Sequence, residues 1–110
     1  MRGNIYQAKK GNYLLILGHN EKYTLTTILR PVENILGSFW YVFDNEDKQW
    51  ELNPHLIKTK KDVLARKRPI GKVSDKIVGS ILSTSPIYKQ CLALAIELWK
   101  NGEITFGRGV

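Results

Sequence analysis

The sequence predicts a small, mainly β barrel with two helices in its C-terminal third. Three observations lead there. Up to residue 59 the chain breaks into short apolar or alternating runs at roughly ten-residue spacing, divided by Gly, Asn, Asp and Pro. Helical spacing of apolar residues starts only after residue 74. The length, 110 residues, suits one domain with a modest core. The expected layout is barrel strands over 1–59, a basic segment over 60–76 and helices over 74–101.

The elements follow in order. "GNIYQAKK" is a short alternation, and "KKGN" is turn chemistry, because Gly11 and Asn12 tolerate positive φ. "YLLILG" is a continuous apolar run, which suits a strand buried on both faces. "GHNEK" reads as a second turn. "YTLTTILR" alternates and is rich in β-branched side chains, until Pro31 stops the ladder. "SFWYVFD", the polar "DNEDK" and "QWEL" read as strand, turn and return strand. Asn53-Pro54 breaks the pattern, and "HLIKT" is a candidate sixth strand. "KKDVLARK" reads as a helical turn ended before Pro69. Ser74 suits an N-cap for "DKIVGSIL", with Gly79 weakening that helix by about 1 kcal/mol. Ser85 as cap with Pro86 at the first helical position starts the last helix, and Asn101-Gly102 ends it. "EITFG" is a candidate last strand.

Charge is concentrated. The chain carries a formal +7, and residues 57–76 hold eight cations against Asp62 and Asp75, so this stretch supplies +6 of it. The remainder is near neutral. Such asymmetry points to a polyanion, nucleic acid before an anionic membrane surface. Lys58, Lys60, Lys61, Arg66, Lys67, Arg68 and Lys72 are the candidate phosphate contacts, with Lys10 in the first turn beside them. On a strand, Lys58 and Lys60 would share one face. The plain alternative is a solvated loop.

Other classes find less support. One cysteine, Cys91, allows no internal disulfide and fits a reducing compartment. No apolar run approaches the ~20 residues of a membrane span. The apolar run near the N-terminus is too short for a secretory signal core. A cytoplasmic protein is expected, without cofactor. His19 and His55 lie far apart in turn-like contexts, so no metal site is expected. Cys91, on an apolar helix face, reads as a packed hydrophobe rather than a nucleophile.

The order of motifs resembles the MazF/PemK family of toxin ribonucleases. Arg2, Gly3, Ile5 and Tyr6 match the family's Arg-Gly-Asp-(Ile/Val)-(Trp/Tyr) opening, with Asn4 in place of Asp. Ile57-Lys58-Thr59 follows the family's Ile-Arg-Thr. Ile70-Gly71-Lys72-Val73-Ser74 follows its Ile-Gly-(basic)-(Leu/Val)-Ser, leading into a helix. The resemblance covers residues 1 to roughly 82. It implies an SH3-like barrel, a homodimer, metal-independent cleavage of single-stranded RNA, and an antitoxin as partner. The family's catalytic Arg-Pro, at the end of its first long loop, has no counterpart in "KKGN". The family's catalytic Thr or Ser falls on Leu29 by direct superposition and on Thr27 after a shift of two.

A metal-independent ribonuclease must stabilise charge growing on phosphoryl oxygens, a task suited to the planar, permanently charged fork of Arg. Arg30, near Thr26 and Thr27, is the candidate, with a solvated strand end as the plain alternative. In "SFWYVFD", Phe39 and Phe43 read as core, while Trp40 or Tyr41 is a candidate base-stacking platform. "PIYKQCLALAIELWK" is apolar over more than half its circumference, which predicts an interface with a second copy or a partner protein. Two functions are thus expected as alternatives. One is an endoribonuclease toxin, with Arg30, Thr26 and Thr27 catalytic. The other is a catalytically inactive binding protein, such as a phage or mobile-element inhibitor of a host protein or a nucleic-acid complex.

Overall fold

The computed structural model describes residues 1–9, 11–32 and 41–102. Lys10, Phe39, Trp40 and the "EITFG" segment lie outside the described residues. Within them the chain is mainly β with helices in its C-terminal part. The strands are β1 (Asn4–Gln7), β2 (Tyr13–His19), β3 (Tyr23–Pro31), β4 (Tyr41–Asn45), β5 (Lys48–Leu52), β6 (Ile57–Lys60) and β7 (Gly71–Lys72). The helices are α1 (Asp62–Ala65), α2 (Asp75–Leu82) and α3 (Ser85–Lys100).

All described strands belong to one antiparallel sheet, ordered β4-β5-β3-β2-β1-β7, with β6 also on β3. The sheet curls into a half-barrel. A side-chain bond joins the two ends of its order, from Asn45 Nδ2 on β4 to the Lys72 carbonyl on β7, at 3.2 Å. β5 and β6 run along the same edge of β3. Leu29 faces Leu52 and Thr26 faces Ile57, so two residues of β3 stand opposite the four residues 53–56. This break is the bulge that Pro54 enforces, since proline cannot donate to a ladder.

The continuous run in β2 is buried on both faces. Leu15 and Leu17 join the main cluster with Leu29, Trp50, Leu52, Val78 and Ile87. Ile16, between them, joins Tyr6 and Leu64 of α1 on the other side. Period-two alternation sends neighbours to opposite faces, so burial of all three requires a cover on each. Phe43 is core as expected, and Tyr41 packs against the same cluster. Gly3 has φ 88°, its N–H donates to the Ile16 carbonyl and its carbonyl accepts from Val73 N–H.

Helix boundaries follow the sequence with one correction. Ser74 caps α2, accepting from Ile77 N–H at 3.3 Å. Gly102 takes φ 72° just beyond α3. The cap of α3 is Thr84, not Ser85, and Ser85 opens the helix. The Thr84 hydroxyl instead donates to the Ile81 carbonyl at 2.8 Å. That local bond ties the α2–α3 turn together.

Candidate functional site

The threonines of β3 build the ledge that holds the basic strand. Thr24 Oγ1 donates to the Thr59 carbonyl and Thr26 Oγ1 to the Ile57 carbonyl, each at 3.3 Å. Both threonines are buried, and both hydroxyl bonds reinforce the pairing of β6 with β3. The alternation expected of β6 is present: Lys58 and Lys60 are exposed and Ile57 and Thr59 are partly covered.

From β6 the chain crosses to the far side of the sheet. Lys61 precedes α1, whose Leu64 is seated on Tyr6 of β1 and Ile16 of β2. Arg66, Lys67 and Arg68 follow in an exposed loop. Lys72 then enters β7, paired with Asn4 of β1. β6 lies beside β3 and β7 beside β1, so the segment spans four inter-strand steps, about 19 Å along the sheet. The sequence run of charge thus becomes a basic band that starts at Lys58 on the α3 side of the sheet and continues past α1 on the other side to Lys72. Among the described residues no carboxylate pairs with any cation of this band, the ion pairs being Arg2–Asp75 and Arg30–Glu51. The Lys58 ammonium sits 4.5 Å from the centre of the Tyr23 ring. That cation–π contact fixes its stem without consuming its charge.

The residues expected for catalysis are arranged differently. Thr27 is fully buried, and its Oγ1 has no hydrogen-bond partner among the described residues. Arg30 is bonded through Nε to the Glu51 carboxylate, and Glu51 is itself buried. Arg30 lies five residues along β3 from Leu25, the partner of Lys58, which is about 17 Å of strand. The structure does not bring Arg30, the threonine hydroxyls and the basic band into one cleft. In this conformation an external phosphodiester reaches neither the Thr26 nor the Thr27 hydroxyl.

A second feature opens at the Lys58 end of the band. A cavity of about 350 Å³ lies between the β2–β3 turn and α2 and α3. His19 is exposed at its mouth. Desolvation first, then the Lys61 ammonium and the chain's N-terminal ammonium, hold its imidazole below the usual 6.5. Cys91 lines the same cavity, and burial pushes its thiol up. The sequence gives no sign of this cavity, because Arg2, His19, Lys58 and Leu98 meet only through long-range folding. His55, the other histidine, is exposed in the break between β5 and β6. Among the described residues no group of three His, Cys, Asp or Glu side chains is placed to hold a metal ion. No described helix is long and apolar enough to cross a membrane.

α3 contributes a third surface. Ile87 and Leu98 are buried, while Tyr88, Leu92, Ile96 and Trp99 are 40–58% exposed and recur along one helix face.

No family model, no curated protein and no solved structure matches the chain.

Proposed function

We propose that this chain is a cytoplasmic nucleic-acid-binding protein, with RNA as the favoured partner, built on an SH3-like barrel of the MazF/PemK kind. The observation that carries the reading is the basic band. Lys58, Lys60, Lys61, Arg66, Lys67, Arg68 and Lys72 lie on one continuous crossing without carboxylate partners among the described residues. A polyanion gains most from such a surface, because among the described residues no ion pair must break before a phosphate is bound and counterions are released. Lys10 stands as a further contact by its sequence position alone.

The partner is held rather than cut. Cleavage by Arg30 with Thr26 or Thr27 would require Arg30 to leave the buried Glu51 carboxylate and β3 to expose a hydroxyl now inside the sheet. Stranding Glu51 in this way is costly, since an unpaired buried charge typically costs about 3–5 kcal/mol. The binding reading therefore stands ahead of the toxin reading. It fits an inhibitor of a nucleic-acid complex, with an antitoxin or a host protein as a protein partner. The exposed stripe Tyr88, Leu92, Ile96 and Trp99 supports a homodimer contact, testable by sedimentation of the wild type against Leu92→Glu.

The test is incubation of the protein with long single-stranded RNA in EDTA, at low and moderate salt, scoring retardation and cleavage together. Salt-sensitive retardation of intact RNA supports binding. Defined fragments that vanish with Arg30→Ala would restore the ribonuclease.

A further inference from the structure

The cavity between the β2–β3 turn and the helices is divided by polarity. Its body is aliphatic, formed by Leu17 and Leu25 from the sheet and Leu82, Leu94 and Leu98 from the helices. Its cationic and ionisable groups are Arg2 from the β1 side, Lys58 from the β6 side and His19 at the β2–β3 turn. Among the described residues Arg2 has one carboxylate neighbour, Asp75, at 3.5 Å, and that carboxylate is itself exposed. Lys61 and the N-terminal ammonium are close enough to His19 to act on it electrostatically. The volume of about 350 Å³ lies within the range of small-molecule sites, which are largely apolar with a few placed polar groups.

From this division we infer that the cavity binds an amphiphilic anion: a carboxylate on a medium-length hydrocarbon body, with the hydrocarbon among the leucines and the carboxylate between Arg2 and Lys58. Among the described residues Tyr23 is the one large ring of the lining and its face is taken by the Lys58 ammonium, so the remaining leucine surface favours a hydrocarbon over a planar base, which would leave its polar edges without partners there. The cationic mouth selects against neutral and cationic heads. The Lys58 side chain is already held over Tyr23, so little side-chain freedom is lost when it engages the head group. Lys58 is shared with the basic band, but the cavity is tested with no nucleic acid present, so this assignment stands or falls apart from the nucleic-acid reading.

The chain's single cysteine supplies the readout. Cys91 lines the cavity, so an occupant slows its alkylation. The experiment measures N-ethylmaleimide labelling of Cys91, with calorimetric titration in parallel, using decanoate, decanol and acetate as probes below any micelle threshold. The expected result is saturable protection by decanoate, none by acetate at the same concentration, and about tenfold weaker binding of decanol. Lys58→Ala should weaken decanoate by about tenfold and leave decanol unchanged. Ala95→Phe, which projects a ring into the cavity, should abolish protection by decanoate, its fold being checked by thermal unfolding. If Ala95→Phe does not fold, the Lys58→Ala comparison decides alone, because that side chain is on the surface. Equal binding of decanoate and decanol, retention of full decanoate affinity in Lys58→Ala, or absence of protection by decanoate would each overturn the assignment.

Discussion

Gln90 of α3 accepts a hydrogen bond from the backbone N–H of Leu56 at 2.7 Å, where the return strand along β3 is interrupted. Its Nε2 also donates to the Pro54 carbonyl and, at 3.1 Å, to the Pro86 carbonyl of its own helix. One side chain thus satisfies both directions of a backbone that the sheet ladder has released, and it couples α3 to the strand that carries Lys58. Gln90→Ala should cost about 2–3 kcal/mol, because partly buried backbone groups lose their partners. Gln90→Glu should cost at least as much, because it keeps the acceptor for Leu56 but sets a carboxylate oxygen against the Pro54 and Pro86 carbonyls. Urea unfolding with unchanged m-values would measure both.

Thr27 separates structure from catalysis. Its side chain is fully buried, and its hydroxyl has no partner among the described residues. Thr27→Val should therefore be neutral or stabilising by about 1 kcal/mol, since it removes a buried polar group without changing shape. Thr26→Val should destabilise by about 1 kcal/mol, because it deletes the bond to Ile57. Thermal unfolding of the pair gives the contrast, and a marked loss of stability in Thr27→Val would contradict the account.

Gly3 marks a close approach of two backbones. A Cβ there would collide with the Val73 carbonyl, and φ 88° is a conformation that alanine rarely adopts. Gly3→Ala should cost about 3 kcal/mol or more, by strain and by separating the segment after β7 from the start of β1. Amide exchange should show the loss first at Val73, whose N–H donates to Gly3.

Much of this architecture was legible in the sequence. Local rules captured the two-faced burial of Leu15, Ile16 and Leu17, the shared face of Lys58 and Lys60, the Ser74 cap and the Gly102 terminus, because periodicity and capping act within a few residues. What was not legible depends on distant partners. Nothing near Thr26 reveals that its hydroxyl meets the Ile57 carbonyl, and nothing near Pro54 reveals that Gln90 completes the break. The threonines drew attention as candidate catalysts because their side chains carry hydroxyls, and the structure engages or encloses those hydroxyls. The placement of the α3 cap failed for a smaller reason: Ser85 and Thr84 are both capable caps, and the turn to Ile81 decides between them.

His19 links the mouth of the cavity to pH. Its folded-state pKa lies below that of the unfolded chain, for which 6.5 is usual. The unfolded chain therefore takes up the proton first, and the fold loses a little stability as pH falls from about 6.5 toward the folded value. A bound polyanion offsets the field of Lys61, so the imidazole pKa should rise in the complex. Binding should then take up protons and tighten as pH falls through that window. A ring-proton NMR titration should place the free His19 below 6.5, and Lys61→Gln should move it upward. A free-state pKa above 6.5 would contradict the geometry.

The central claim is that the band from Lys58 to Lys72 holds nucleic acid through its phosphates. The most direct measurement is the salt dependence of binding to a labelled single-stranded RNA in EDTA, comparing wild type with the triple variant Arg66→Gln, Lys67→Gln, Arg68→Gln. The account predicts intact RNA, a linear fall of log K with log salt, and a slope shallower by about 2 in the variant, since each lost phosphate contact on a single strand removes about 0.7. An unchanged slope, or no binding by the wild type at low salt, would mean that the band is only a solvated surface.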